Sequence, residues 1–215
     1  MPRNLERDAQ EMTRRKEQLL TAGFKLFATK GIENVSLQTV AEEAGVGIAT
    51  LYNYYSNKTN LVIAISAYIW TNVWKDAMQN YSSVNETSNA YQWIEFYADV
   101  IIKLYNERPD ILCFSGDYKT YVCRECVPEE NLSVQLDALD PIGKLFHQKY
   151  EEAKVDGSIR TDIPEKEMFS TIALTMLGMA ERYAKGLVWA SRGSTDYNNE
   201  LRYTKEMLLN WASRR

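Results

Sequence analysis

Apolar side chains recur every three or four residues along most of this chain, the repeat of a helix that buries one face. Leu19, Leu20, Gly23, Phe24 and Phe27 form one such stripe, and Gly31 beyond it offers the left-handed backbone that ends a helix. Phe169, Ile172, Ala173, Met176, Leu177, Ala180, Tyr183, Ala184 and Leu187 repeat the spacing in a long helix. Leu201, Thr204, Leu208 and Trp211 do so in the last one. No segment of useful length alternates with period two, so the expected fold class is all-α.

Breaks in the pattern set the expected organisation. Gly31 to Ser36 and Gly45 to Gly47 divide the N-terminal part into three helices, the last two very short. Asn57 is placed to cap a long helix over 58–80, and 82–88 reads as a polar loop. Pro109, Pro128 and Pro141 suit first helical turns, with Asp140 as cap of the helix that Pro141 opens. Residues 157–164 read as an extended connector. The expectation is an N-terminal three-helix domain over 1–60 and a helical domain over 61–215.

Composition narrows the class. The chain has 215 residues, 45% of them apolar, with ten Gly and five Pro, enough to bury a core and unlike a disordered or collagen-like chain. Net charge is −4. It is unevenly spread: residues 1–60 hold eight basic and seven acidic side chains, and the rest of the chain is the acidic part. The N-terminal MPRNLERDAQEMTRRKEQ has no apolar stretch of a signal peptide. The longest uncharged run, Thr59 to Trp74, falls short of the roughly 20 apolar residues that span a bilayer. The expectation is a cytoplasmic protein with no membrane partner.

Residues 36–55, SLQTVAEEAGVGIATLYNYY, carry the most specific signal. Ser36 can cap a short helix whose inward positions are Leu37, Val40, Ala41 and Ala44. Gly45 can take the positive φ of a tight turn, Val46 plugs that turn, and Leu51 with Tyr55 forms the inward face of a second helix. Two short helices about a glycine turn make a helix-turn-helix, whose second helix lies in the DNA major groove.

From Arg14 to Leu61 the sequence resembles the TetR family of transcriptional regulators. The resemblance rests on Phe24, Leu26 and Phe27, Lys30-Gly31, Val40-Ala41, Ala44-Gly45-Val46, Thr50-Leu51-Tyr52, Tyr54-Tyr55, Lys58 and Leu61. Beyond Leu61 it extends only to helical content, length and the final long helices. The resemblance implies that Gln38, Thr50, Tyr52, Tyr54 and Lys58 face double-stranded operator DNA. Asn53 and Gln38 are the side chains best able to read an adenine edge. Gly47 stands where the family usually has Ser, and Ile48 and Ala49 offer only apolar contacts, for example to thymine methyls.

Residues 36–60 hold a single cation, Lys58, against Glu42 and Glu43. Phosphate contacts must then draw on Arg3, Arg7, Arg14, Arg15 and Lys16, on hydroxyls, and on helix N-terminal N–H groups. Few ionic contacts mean a shallow salt dependence, no steeper than a log–log slope of about −8 for a dimer.

The later part of the chain reads as sensor and dimer interface. The resemblance implies a homodimer through helices at 165–190 and 196–213, where Gly178 and Ala180 permit close approach. It also implies a small-molecule effector, hydrophobic or aromatic, in a cavity lined by Trp70, Trp74, Trp93, Tyr97, Tyr105, Phe114, Tyr118 and Tyr121. Glu95, Asp99 and Asp117 would favour a cationic one. Release from DNA would follow if the ligand moves the helix starting at Lys58 and alters the spacing of two recognition helices. No cofactor or metal is expected. One histidine and the absence of GxSxG, HExxH or a phosphate loop speak against an enzyme. Two alternatives stand beside a ligand-released repressor: sensing of metal or redox state through Cys113, Cys123 and Cys126, and a helical adaptor without DNA binding.

Overall fold

The computed structural model describes residues 5–84, 88–187 and 196–213. Arg3 and the end of the expected helix at 188–190 lie outside the described residues. Among these the elements are helical throughout: α1 Leu5–Lys30, α2 Leu37–Ala44, α3 Ile48–Tyr54, α4 Lys58–Val84, α5 Ala90–Glu107, α6 Pro109–Arg124, a 3-10 turn at Glu129–Leu132, α7 Ser133–Asp156, α8 Glu165–Ala184 and α9 Asn198–Ala212. The all-α expectation holds.

The chain forms two compact units, residues 1–70 with 117–138 and residues 71–116 with 139–215. α4, α6 and α7 each pass from one unit to the other along their length. In the first unit Leu19, Phe27, Val40, Leu51, Leu61 and Ile65 are buried at its core. α1 and α4 approach closely because Gly23 has no side chain: a Cβ there would lie 2.5 Å from Ile65 Cδ1. Helix ends follow the local chemistry. Gly31, at φ 80°, closes α1 with its N–H donated to Phe27 O at 2.9 Å. Asn57 Oδ1 accepts from Asn60 N at 2.8 Å and caps α4 as expected.

In the second unit α5, α8 and α9 pack together through Trp93, Ile101, Met168, Ile172, Met176, Ala180 and Leu201. Asn89 caps α5 in a reciprocal box with Gln92, each side chain meeting the other's backbone N–H at 3.0 Å.

Three sequence expectations need correction. Residues 82–84 continue α4 rather than forming a loop, and the 85–87 part of that loop lies outside the described residues. Pro141 opens no helix and Asp140 caps none: Pro141 sits inside α7. An interior proline removes one backbone hydrogen bond. The helix persists where Ile142, Phe146 and Tyr150 are buried on one face and Asp140 pairs with Lys144 at 2.6 Å. α8 stops at Ala184, so Leu187 lies past the helix and is exposed. The stop is Gly186 at φ 66°, which lets Leu187 N donate back to Arg182 O at 3.0 Å.

Candidate nucleic-acid interface

The reader is built from α2, its turn and α3. Ser36 Oγ accepts from Thr39 N at 3.1 Å and starts α2. Gly45 then ends it at φ 64°, its N–H donated to Glu42 O while Val46 N–H reaches Ala41 O at 3.0 Å. Val40, Ala41 and Ala44 are buried and Leu37 is half-buried. Gly47 precedes α3 with no side-chain cap, so the first turn relies on backbone bonds from Thr50 N and Leu51 N to Gly47 O at 2.9 and 3.1 Å.

α3 is held by one fully buried residue, Leu51. Around it the sequence-derived contacts are placed as follows. Ala49, Tyr52 and Asn53 are exposed, Tyr52 by 51%, while Ile48, Thr50 and Tyr54 are half-buried. Tyr54 meets Tyr55 edge-on at 6.5 Å and carries the Lys16 ammonium 5.5 Å from its ring centre. Tyr55 is the inward member of that pair. Burial pushes its phenol up to about 12, with a smaller contribution from Tyr54. Gln38 is exposed on α2 and donates to Glu42 Oε1 at 2.7 Å.

The basic segment of α1 lies beside this face. A cleft of about 310 Å³ is lined by Glu11, Arg14, Arg15 and Gln18 of α1 together with Gly45, Val46, Gly47 and Thr50. Both cations that line it are already engaged. Arg14 grips Glu11 through Nε at 2.9 Å and Nη2 at 2.7 Å, and Arg15 Nε donates to the same carboxylate at 2.8 Å. Hydrogen bonds from Arg14 first and Arg15 second hold the Glu11 carboxyl down at about 2. Across the unit, Lys25 ties α1 to Glu43 of α2 at 2.7 Å.

Lys58, at the start of α4, is half-buried and donates to Glu33 O at 3.2 Å. Its partial burial lowers its basicity, opposed by the charge of Glu125. The Glu33 side chain in turn pairs with Arg124 at the end of α6. Tyr121 of the same helix shares a hydrogen bond of 3.1 Å with Thr59 Oγ1. Sequence reasoning missed this brace, because no local pattern relates residue 33 to residue 124.

The eight rings expected to line a cavity are divided between the two units. Trp70, Tyr118 and Tyr121 belong to the first; Trp74, Trp93, Tyr97, Tyr105 and Phe114 belong to the second. Within the second, Tyr97 stacks between Trp74 and Trp93 at 5.3 and 5.6 Å. Phe146 and Phe169 complete the cluster, each within 6.2 Å of Trp93. Burial raises the Tyr97 phenol well above its ordinary range, helped by the charge of Glu181. The Trp93 indole N–H is buried with no acceptor among the described residues. The Tyr105 OH accepts from Tyr197 N at 3.2 Å. Glu95 and Asp99 already meet a cation, Lys205 of α9, at 3.1 and 2.7 Å.

α8 and α9 leave apolar side chains uncovered. Leu174 is 64% exposed, Tyr203 60% and Met207 70%, and Gly178 lies exposed one turn beyond Leu174. The one grouping of metal-type ligands among the described residues is His147, Glu151 and Glu165, with donor atoms within 4.8 Å of one another. It is satisfied internally: His147 Nδ1 meets Glu165 at 2.8 Å, and Lys154 pairs with Glu151. Cys123 and Cys126 are exposed in the first unit, and Cys113 is half-buried in the second. No helix is long and apolar enough to cross a membrane among the described residues.

Comparison with known proteins places this geometry in context. Residues 19–65 match the family described as "Bacterial regulatory proteins, tetR family". The chain is similar to an HTH-type transcriptional regulator of Staphylococcus aureus (strain MRSA252), 26% identical over 160 residues that cover 73% of this chain and 75% of that protein. An HTH-type regulator of strain USA300 is 37% identical over 57 residues, which are 26% of this chain and 29% of that protein. Among solved structures, a TetR family transcription regulator from Marinobacter aquaeolei VT8 aligns with a TM-score of 0.68 at 17% identity, covering 96% of this chain and 100% of that one. The fatty acid degradation regulator FadR from Bacillus halodurans aligns at 0.65 with 16% identity, covering 90% and 94%.

Proposed function

Because this chain belongs to the tetR family of bacterial regulatory proteins and is a DNA-binding transcriptional regulator, we propose that it is a homodimeric repressor released from a palindromic operator by a small molecule. The observation that carries the reading is α3: a two-turn helix whose one fully buried side chain is Leu51, with Ala49, Tyr52 and Asn53 turned to solvent beside the basic segment of α1. A helix so anchored can enter a major groove, Asn53 and Gln38 reading base edges while Ile48 and Ala49 meet thymine methyls. Thr50 and Tyr54 then offer hydroxyls to phosphate, and Arg14, Arg15, Lys16 and Lys58 supply the cations. In this reading residues 1–60 form the reader, 61–215 sense and dimerise, and the protein works in the cytoplasm.

One short helix covers too few base pairs for a genomic site, so two copies are needed. Leu174, Gly178, Tyr203 and Met207 on α8 and α9 are the surface we assign to the second copy. The effector is hydrophobic or aromatic and lies against Trp74, Trp93 and Tyr97. A hydrogen-bond acceptor on it would satisfy the Trp93 indole, whose buried donor meets no acceptor among the described residues. α4 starts at Lys58 in the first unit and continues past Trp70 into the second, so displacing it changes the separation of paired recognition helices from the groove repeat of about 34 Å. Coupling of about 1–3 kcal/mol gives a 5–150-fold loss of operator affinity.

Selection of bound fragments from genomic and random DNA tests the reading. A palindromic site should emerge, and Thr50→Ala and Tyr54→Ala should lose it while keeping native helicity. Recovery of no palindrome, or unchanged binding by both variants, refutes it. Leu174→Glu with Met207→Glu should sediment as a monomer; a persistent dimer displaces the interface from α8 and α9.

A further inference from the structure

Two exposed thiols mark the end of α6, Cys123 in its last turn and Cys126 two residues past it, and the proposal above uses neither. Cys126 N–H donates to Cys123 O and Val127 N–H to Val122 O, both at 3.2 Å, the paired closure that terminates a helix. The left-handed residue of that closure is Cys126, at φ 48°. It is the one non-glycine with positive φ among the described residues; Gly31, Gly45, Gly157 and Gly186 are the others. A side chain resists this conformation and glycine does not, so local folding gives no reason for cysteine here. Three residues along a helical path separate Cα atoms by about 5 Å. A disulfide spans roughly 4.4–6.8 Å.

The pair brackets Arg124, and Arg124 is the brace of the reader. Its guanidinium pairs with Glu33 and lies 5.9 Å from the centre of the Tyr121 ring. The backbone oxygen of the same Glu33 holds Lys58 Nζ. From the turn to the DNA-facing cation there are thus two links, Arg124 and Glu33, all within the first compact unit.

We propose that Cys123 and Cys126 form a reversible thiol–disulfide site that responds to low-molecular-weight disulfides and weakens operator binding when closed. One cysteine thiolate attacks the small disulfide RSSR, forming a protein–S–SR bond and expelling RS⁻. The second thiolate attacks the protein sulfur, forming the Cys123–Cys126 bond and expelling the other RS⁻. The two thiol protons end on two RSH, so the protein loses two electrons and RSSR gains them. In the thiol state Cys126 Sγ lies 3.8 Å from Arg124 O as a donor. Closure abolishes that donor and re-forms the turn around the bridge. Arg124 is drawn from Glu33, and the anchor of Lys58 loosens.

The effect on affinity rests on the repressor reading; bridge formation does not. The test uses the full chain carrying Cys113→Ser, equilibrated in reduced or oxidised glutathione, alkylated for peptide mass mapping and titrated against selected operator DNA. A fragment joining Cys123 to Cys126 should appear in oxidised glutathione and vanish with dithiothreitol, and affinity should fall at least about fivefold on oxidation. Cys126→Ser should retain affinity in both buffers, and Arg124→Ala should bind in both as the oxidised protein does. Absence of the bridge, or a bridged protein of unchanged affinity, overturns the proposal. If the reduced protein binds no DNA, the repressor reading fails and the affinity change with it, while the mass map still decides whether the site exists.

Discussion

Glu11→Gln isolates the electrostatics of the α1 cleft. In the native chain one carboxylate accepts three hydrogen bonds, two from Arg14 and one from Arg15, at 2.7 to 2.9 Å. With its carboxyl held down at about 2, Glu11 is ionised throughout any useful binding range and competes with phosphate for both guanidinium groups. Glutamine keeps the length and one acceptor oxygen but removes the charge and presents N–H where Arg14 needs an acceptor. Each phosphate neutralised steepens the log–log salt slope by about 0.9. If the variant frees one cation per protomer, a dimer's slope steepens by about 1.8; if both are freed, by about 3.6. Fluorescence anisotropy with the selected operator, between about 50 and 200 mM salt, measures it directly. Tighter binding at the low end, a steeper slope and convergence with the native protein at high salt are expected. Parallel lines, or weaker binding throughout, would refute the view that Glu11 competes with phosphate for these arginines. The native slope itself should stay shallower than about −8.

Gly45→Ala should destabilise the protein by about 1–2 kcal/mol in urea unfolding, the cost of an L residue in the left-handed region. A Cβ there meets nothing within 4 Å, so the loss is conformational rather than steric, and an unchanged midpoint would contradict it. Ser36→Ala removes the acceptor for Thr39 N and should cost about 1 kcal/mol, whereas Ser36→Gly should cost a few tenths. The hydrogen bond with Glu165 raises the His147 pKa, so protonation is favoured by folding. Its contribution is complete below the unfolded value of about 6.5 and fades as pH rises through the higher folded value. The stability lead of the native protein over His147→Gln should therefore be greater at about pH 5.5 than at about pH 8.5; an equal lead at both would show that the pair contributes nothing.

Where the information was local, the sequence could be read almost without loss. Ser36, Gly45 and Gly31 act on backbone groups three to five residues away, and their roles follow from side-chain chemistry alone. The buried faces of α1 and α2 and the 157–164 connector were legible for the same reason. Pro141 reads locally as a helix start because a proline weighs against a helix interior, and burial of Ile142 and Phe146 against distant elements outweighs it. The three-residue overrun of α4 into the expected loop has the same origin.

The candidate site divides along that line. The inward Leu51 follows from spacing, since a helix turning by a fixed angle separates its faces by spacing alone, while the identity of the reader follows from the glycine turn within residues 36–55 and the resemblance it carries. That α1 brings Glu11, Arg14 and Arg15 to the turn before α3, that Arg124 braces Glu33 and through it Lys58, and that Phe146 and Phe169 join the rings of Trp93 and Tyr97 came only from the tertiary structure. Hydrogen bonds to near neighbours are set by residue type and offset, whereas contacts across many tens of residues depend on how helices cross, which no single segment encodes.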